Sequence, residues 1–367
     1  MKQLAVYLTF AALNILCFNV NAEAKGKKYY IYVAAESEDE VAVVKFEGET
    51  ASVEKRISVG VWPVEIEGPH GMTISPDGQY WYLSMAHGKP YGHVYKFKTG
   101  TDEMIARVEL DLFPATMQIS PATGFLYVVN FNLHGDHVPS TVSIVDPESM
   151  EEIDRVTTGV MPHGSRLSPD GLSHYSVAMM SDELYEIDAM SFEVSRILNL
   201  AGESSANEHQ MAGKETMQHG MPKAKPTWVY PHPTQPQVYV ANNGTNEVVE
   251  VDLNDWKITR RFPTGKGPYN LEVSNDGKIL VVSYKSEGST GIWDLKKGKE
   301  LAKIPNSRKV THGVVISPDS RYAFVSVEGK GGEPGAVDVF DLKKLKHVAT
   351  AEVGKQAGGI SFWKMEE

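Results

Sequence analysis

The chain has 367 residues, a formal net charge of −11, twelve histidines, fourteen methionines and a single cysteine. An acidic balance with no basic stripe argues against broad binding to a nucleic-acid backbone. One thiol excludes a disulfide framework and a thiolate metal site. The sequence also lacks a P-loop, a dinucleotide glycine motif, a G-x-S-x-G elbow and an H-E-x-x-H helix.

In chain order, Lys2 precedes an apolar run from Leu4 to Val20 that ends in Val20-Asn21-Ala22. This reads as a secretory signal peptide over residues 1–22, followed by a polar leader over 23–28. No other stretch is apolar enough to span a membrane, so the mature chain is expected to be soluble, periplasmic or secreted. Cys17 falls within the segment to be removed. Cleavage would leave no site for a disulfide, a covalently attached c-type haem or a cysteine nucleophile.

From Pro69 onward one pattern recurs. Pro69 to Gly78 reads P-H-G-M-T-I-S-P-D-G, and weaker copies start at Pro114, Pro162, Pro226, Pro268 and Thr311. Each copy is an apolar alternation ending in a tight turn, with proline setting the first turn dihedral, aspartate bonding its own backbone and glycine taking the left-handed site. A second alternating run follows, such as Tyr80 to Ser84 or Ile279 to Ser283. A third closes on Asp146, Asp188, Asp252, Asp294 or Asp341, and a fourth leads into the next copy. Four short strands at a period of roughly 42 to 48 residues describe one propeller blade.

The first strand, Tyr29 to Ala34, has no copy of the motif before it, and Gly358 to Trp363 is an inner strand with no blade after it. The two remnants complement each other. The expectation is an all-β seven-bladed β-propeller over residues 29–367, four antiparallel strands per blade, closed by pairing the C-terminal strand with the N-terminal blade.

The runs Y-V-V-N at Tyr127 to Asn130 and Y-V-A-N at Tyr239 to Asn242, with G-x-x-P starts and apolar-Asp ends, resemble the YVTN-repeat family of seven-bladed propellers. That resemblance spans nearly the whole mature chain and implies fold more than function, because the family includes binding proteins and members of unknown role. More distantly, the chain is similar to the propeller domains of nitrous oxide reductase, thiocyanate dehydrogenase and haem-dependent nitrite reductase. In those, histidines around the axis hold copper or face a haem. No motif of theirs matches residue for residue, so no ligand is carried over. Trp293-Asp294 is a lone WD dipeptide and does not indicate WD40 repeats.

The second residue of each inner strand is expected at the channel mouth on one face, here termed the top. Those residues are His70, Ala115, His163, Thr227, Tyr269, His312 and Gly358. Histidines in blades one, three and six approach threefold spacing, and three imidazoles from different strands suit zinc or copper with one position open. His87, His93, His134 and His137 fall in top loops, while His174, His232 and His347 are placed elsewhere. The longest non-strand segment, residues 201–225, is rich in His and Met. Its His209, His219, Met211 and Met217 are candidate lid donors, and thioethers with imidazoles favour copper. The acidic run Glu36 to Glu40 reads as a solvated top loop that would attract cations or a basic partner.

Two functions follow. One is an exported monomeric metalloprotein holding copper or another transition metal through His70, His163 and His312, with His87, His134 and His137 as a second ion site or outer shell. If it is an enzyme, it would be a copper-dependent small-molecule oxidoreductase, with a redox partner protein if electrons must be supplied. The other is a non-catalytic propeller that presents its top face to a protein or small ligand.

Overall fold

In a computed structural model, residues 26–62, 64–87, 92–202 and 221–367 are described. The signal-peptide segment and most of the 201–225 insertion, including His209, Met211, Met217 and His219, lie outside them. Among the described residues no helix is long and apolar enough to cross a membrane. The alternating runs form seven four-stranded antiparallel sheets, six of them consecutive in sequence. The seventh places Ala357–Glu366 beside Lys28–Ala35, followed by Glu40–Glu47 and Thr50–Ser58, so the two ends of the chain close the ring.

The turns form as the sequence implies. Ser75 donates to Asp77 at 2.6 Å, and the Asp77 carboxylate accepts from the amide of Gln79 at 3.0 Å. The same pair recurs as Ser168–Asp170, Ser274–Asp276 and Ser317–Asp319. Gly78 is left-handed at φ 70°, and in the sixth copy Ser320 takes that position at φ 57°. Five of the third strands end on an aspartate whose carboxylate accepts from amides two or three residues on, as Asp252 does from Asn254 and Asp255.

A sheet buried on both faces must pack on neighbours. Seven apolar clusters do this, one between each pair of adjacent blades. Fourth strands face outward and alternate between exposed and half-buried residues. The inner strands carry a feature that composition does not announce: every one has a register shift near its start, after the opening residue in six and after Thr311 in Val310–Ile316. A bulge of this kind leaves residues outside the ladder and turns them away from the sheet. Here it brings His70, His163 and His312 to the axial cavity.

Six of the seven mouth carbonyls then accept a hydrogen bond from the preceding blade. Thr116 donates to His163 O at 2.7 Å, Thr227 to Tyr269 O at 2.7 Å, Ser283 to His312 O at 2.6 Å and Ser326 to Gly358 O at 2.6 Å. Ser84 donates to Ala115 O at 3.3 Å, and His163 Nδ1 bonds Thr227 O at 2.8 Å. Glycine follows the mouth histidine because the next blade is so close. A Cβ on Gly71 would lie 1.5 Å from Ala115 O, and one on Gly359 would lie 1.7 Å from His70 O.

Gly71→Ala is therefore expected to lower the unfolding free energy in urea by roughly 1–3 kcal/mol, as overpacking does. Gly332→Ala, where a Cβ would meet nothing within 4 Å, should leave it within about 0.5 kcal/mol. Equal midpoints for the two variants would show that the blades do not meet at Gly71.

Candidate functional site

The bulges bring the three mouth histidines together at the axis. The His70 ring centroid lies 5.9 Å from that of His312 and 6.4 Å from that of His163. All three are buried, and they roof a narrow axial cavity of about 30 Å³, room for one or two waters. Met72, Met117 and Asn270 line it below them.

Two of the rings are oriented by a partner behind them. Thr227 O can only accept, so His163 Nδ1 carries the proton and Nε2 accepts from the Tyr269 hydroxyl at 2.8 Å. His70 Nδ1 donates to Glu36 at 3.0 Å, and its Nε2 has no partner among the described residues. His312 Nδ1 is buried beside the Gly358 backbone without a well-formed hydrogen bond, and Nε2 stands 3.8 Å from Glu328. Burial pushes His163 down to about 3, with the neighbouring His70 adding to it, and burial holds His312 well below the usual imidazole range. These two rings are neutral.

A second tier surrounds the mouth, contributed by residues just past the second strands. Glu36 follows Lys28–Ala35 and bonds both His70 and His87, the latter at 2.6 Å. Its burial would raise its pKa, but the two histidines hold it well below the ordinary carboxylate range, so it is an anion. His87 Nδ1 meets His134 Nε2 at 3.4 Å, which makes a continuous chain from exposed His134 to the axis. Opposite, Lys285 sits 4.1 Å from the Tyr269 ring centroid and 3.3 Å from Glu328. Burial lowers the Lys285 pKa, yet Tyr269 and Glu328 more than restore it, so the ammonium stays charged. Phe113, at φ 55°, packs edge-on against His70, His87 and His134, and Phe131 packs against His163.

The three histidines do not form a closed coordination sphere as they stand. Among the described residues no three of His, Cys, Asp or Glu converge closely enough to hold an ion. The physical reason is local: the Tyr269 hydroxyl caps His163 Nε2, and both Glu36 oxygens are taken by imidazoles.

No family model matches the chain. Among solved structures it is similar to Kuenenia stuttgartiensis hydrazine synthase, with TM-score 0.61, 20% identity and coverage of 78% of this chain and 80% of that one. A functionally unknown protein from Desulfotomaculum acetoxidans DSM 771 superposes with TM-score 0.67 at 14% identity, covering 91% of this chain and 98% of that one. At these identities the likeness shows the propeller fold alone. In sequence, Antigen Lp49 of Leptospira interrogans is 21% identical over 254 residues, 64% of this chain. The chain spans about half the length of that curated relative, 49%.

The other sequence candidates distribute unevenly. His87 and His134 join the cluster, whereas exposed His137 has no hydrogen bond or ring contact to it. His93 opens the strand His93–Lys98 and faces Glu109 at 3.7 Å. The acidic run is not a solvated loop throughout: Glu36 is buried at the site, and Asp39 accepts from the amides of Glu67 and Gly68. Glu36, Lys285, Glu328, Phe113 and Phe131 are site residues that the sequence does not single out. Glu36 and Lys285 sit just past a second strand that ends at the top and Glu328 is the last residue of one, and that position is the signal that could have found them.

His174 lies apart from the cluster, fully buried against Tyr127 at 5.1 Å with neither ring nitrogen bonded, and burial pushes it to about 3. Between the ordinary imidazole value of 6.5 and that value the unfolded chain binds a proton that the folded chain does not. Stability is thus complete above this window and falls with decreasing pH inside it, by about 1.4 kcal/mol per pH unit per such histidine. His174→Phe keeps a ring and is expected to flatten the acid side of the urea-unfolding free energy by about one such increment. An unchanged slope would mean that His174 is charged in the folded chain.

Proposed function

We propose that this chain is an exported metal-binding propeller of the YVTN-repeat type, holding a copper ion at the top of its channel through His70, His163 and His312. The observation that carries this reading is the orientation of the rings. His70 and His163 each use Nδ1 on an acceptor behind them, a carboxylate and a carbonyl, which is the arrangement that fixes the tautomer of metal-ligating histidines. The Nε2 of His70 has no partner among the described residues, while that of His163 is held by the Tyr269 hydroxyl. An all-imidazole set without thiolate suits copper or zinc better than magnesium or calcium. His87 and His134 would form the outer shell, with Glu36 as the shared anion behind His70 and His87.

When bound, copper would supply one-electron or Lewis-acid chemistry to a small molecule entering at the mouth. The chain's own residues would exclude bulk water with Phe113 and Phe131, hold His163 and His312 neutral by burial, and keep a charged ammonium, Lys285, beside Tyr269. Loading must displace the Tyr269 hydroxyl from His163 Nε2. A non-catalytic scaffold that presents the top face to a partner is the second reading. What supports it is the exposed apolar segment before blade one, with Trp62 59% and Val64 90% exposed.

Protein exported to a bacterial periplasm in copper-supplemented medium is expected to carry stoichiometric copper by mass spectrometry, and the His70→Gln, His163→Gln, His312→Gln triple variant should carry none. Tyr269→Phe, which uncaps His163, should bind copper roughly two- to tenfold more tightly, the worth of one neutral hydrogen bond. A metal-free wild type would end the copper reading and leave the scaffold.

A further inference from the structure

The lower part of the channel carries a second set of polar groups, separate from the histidines. Gln118, Arg166 and Tyr230 are the fifth residues of three consecutive inner strands, Pro114–Ile119, Pro162–Leu167 and Pro226–Pro231. They line a cavity of about 210 Å³ whose apolar walls include Leu167, Pro231 and Val273. Arg166 also borders the smaller cavity beneath the histidines, so its side chain divides the two.

The hydrogen-bonding inventory is one-sided. A guanidinium offers five N–H donors, and Arg166 uses one hydrogen bond, from Nη1 to Ser165 O at 2.8 Å. No carboxylate lies within ion-pair distance of it among the described residues, and none lines the cavity. Gln118 accepts from the amide of Leu167 at 2.8 Å through Oε1, and its NH₂ has no partner among the described residues. Tyr230 has no hydrogen bond to its hydroxyl among the described residues. Three donor groups and no counter-anion therefore share one cavity.

The guanidinium is also fixed in place. Its central carbon lies 4.7 Å from the Trp228 ring centroid and 5.8 Å from that of Tyr230, so the plane is held by aromatic faces before any ligand arrives. Glu272, on the next inner strand, turns one oxygen to the amide of Ile316 at 3.0 Å. Burial pushes Glu272 up to about 7 although the Ile316 amide and the Arg166 charge pull it down, so at neutral pH it is a partial counter-charge that feels Arg166 from beyond ion-pair distance.

We propose that this lower mouth binds a small carboxylate, gripped by the Arg166 guanidinium and by the free amide of Gln118 and hydroxyl of Tyr230. A planar two-oxygen anion matches the guanidinium fork, and the proline and aliphatic walls take a short apolar substituent. The chain's negative charge disfavours anions at long range, so what selects the ligand is the local fork rather than the overall field.

The test uses acetate as the probe, read by the thermal midpoint and by calorimetric titration of the full chain, with chloride at equal ionic strength as the reference. Acetate is expected to raise the midpoint with concentration, as a ligand of the folded state must. Arg166→Gln should weaken binding roughly 10- to 100-fold, the loss expected for a charge-assisted pair. Arg166→Lys should weaken it too, because charge without the fork is insufficient, and Tyr230→Phe roughly two- to tenfold. His70→Gln should bind acetate as the wild type does, which separates this site from the copper site. No acetate effect beyond chloride in the wild type, or equal affinity in Arg166→Gln, overturns the proposal. If Arg166→Gln does not fold, unchanged affinity in Tyr230→Phe overturns it.

Discussion

The bulge in each inner strand, with its mouth carbonyl tied to the preceding blade, is the constraint on which the rest depends. A propeller blade has no covalent or hydrogen-bonded ladder to its neighbour, so apolar packing alone would let blades slide along one another. A hydroxyl of one blade bonded to the bulged carbonyl of the next fixes their relative height. Glycine in the bulge lets the two backbones approach to where no side chain fits. The same bulge that aligns the blades also aims the preceding residue at the axis, and this is why one position per blade, and not a loop, builds the candidate site.

That origin gives the site its electrostatic character. Residues aimed from rigid strands into a narrow channel lose water, and burial is the first cause of the low pKa of His163 and His312. Two charges nonetheless remain inside, and each is held by partners. Glu36 is kept ionised by His70 and His87, and Lys285 by Tyr269 and Glu328. Removing one partner would leave the other charge uncompensated, so each group constrains its neighbours' protonation states as well as their positions.

The blade count, the closing pair of terminal strands and the turn chemistry were legible in the sequence because they rest on local signals: period-two alternation, Ser-Pro-Asp-Gly and apolar-Asp strand ends. The mouth histidines were legible too, since the repeat assigns equivalent positions equivalent heights. What could not be read was contact between blades. Glu36 stands in an acidic run that resembles any solvated loop, and only ring closure sets it between histidines of blade one. Tyr269 is visible as a mouth residue, but whether its hydroxyl faces His163 depends on side-chain direction and not on position. His137 and His134 are three residues apart in one loop, and sequence offers no means of choosing between them.

The two ends of the channel differ in the sign of what they present. At the top are imidazoles backed by a buried carboxylate; at the bottom are a guanidinium, an amide and a phenol with no carboxylate among the lining residues. Between them the axial cavity holds about 30 Å³, and Arg166 stands across its lower limit. A passage that admits one or two waters cannot carry a carboxylate or an organic substrate from one face to the other. The channel is therefore not a conduit for such molecules in this conformation. A carboxylate or organic molecule that reaches the histidines must enter and leave by the top, and Arg166, Trp228 and the inner strands are what connect the lower mouth to it.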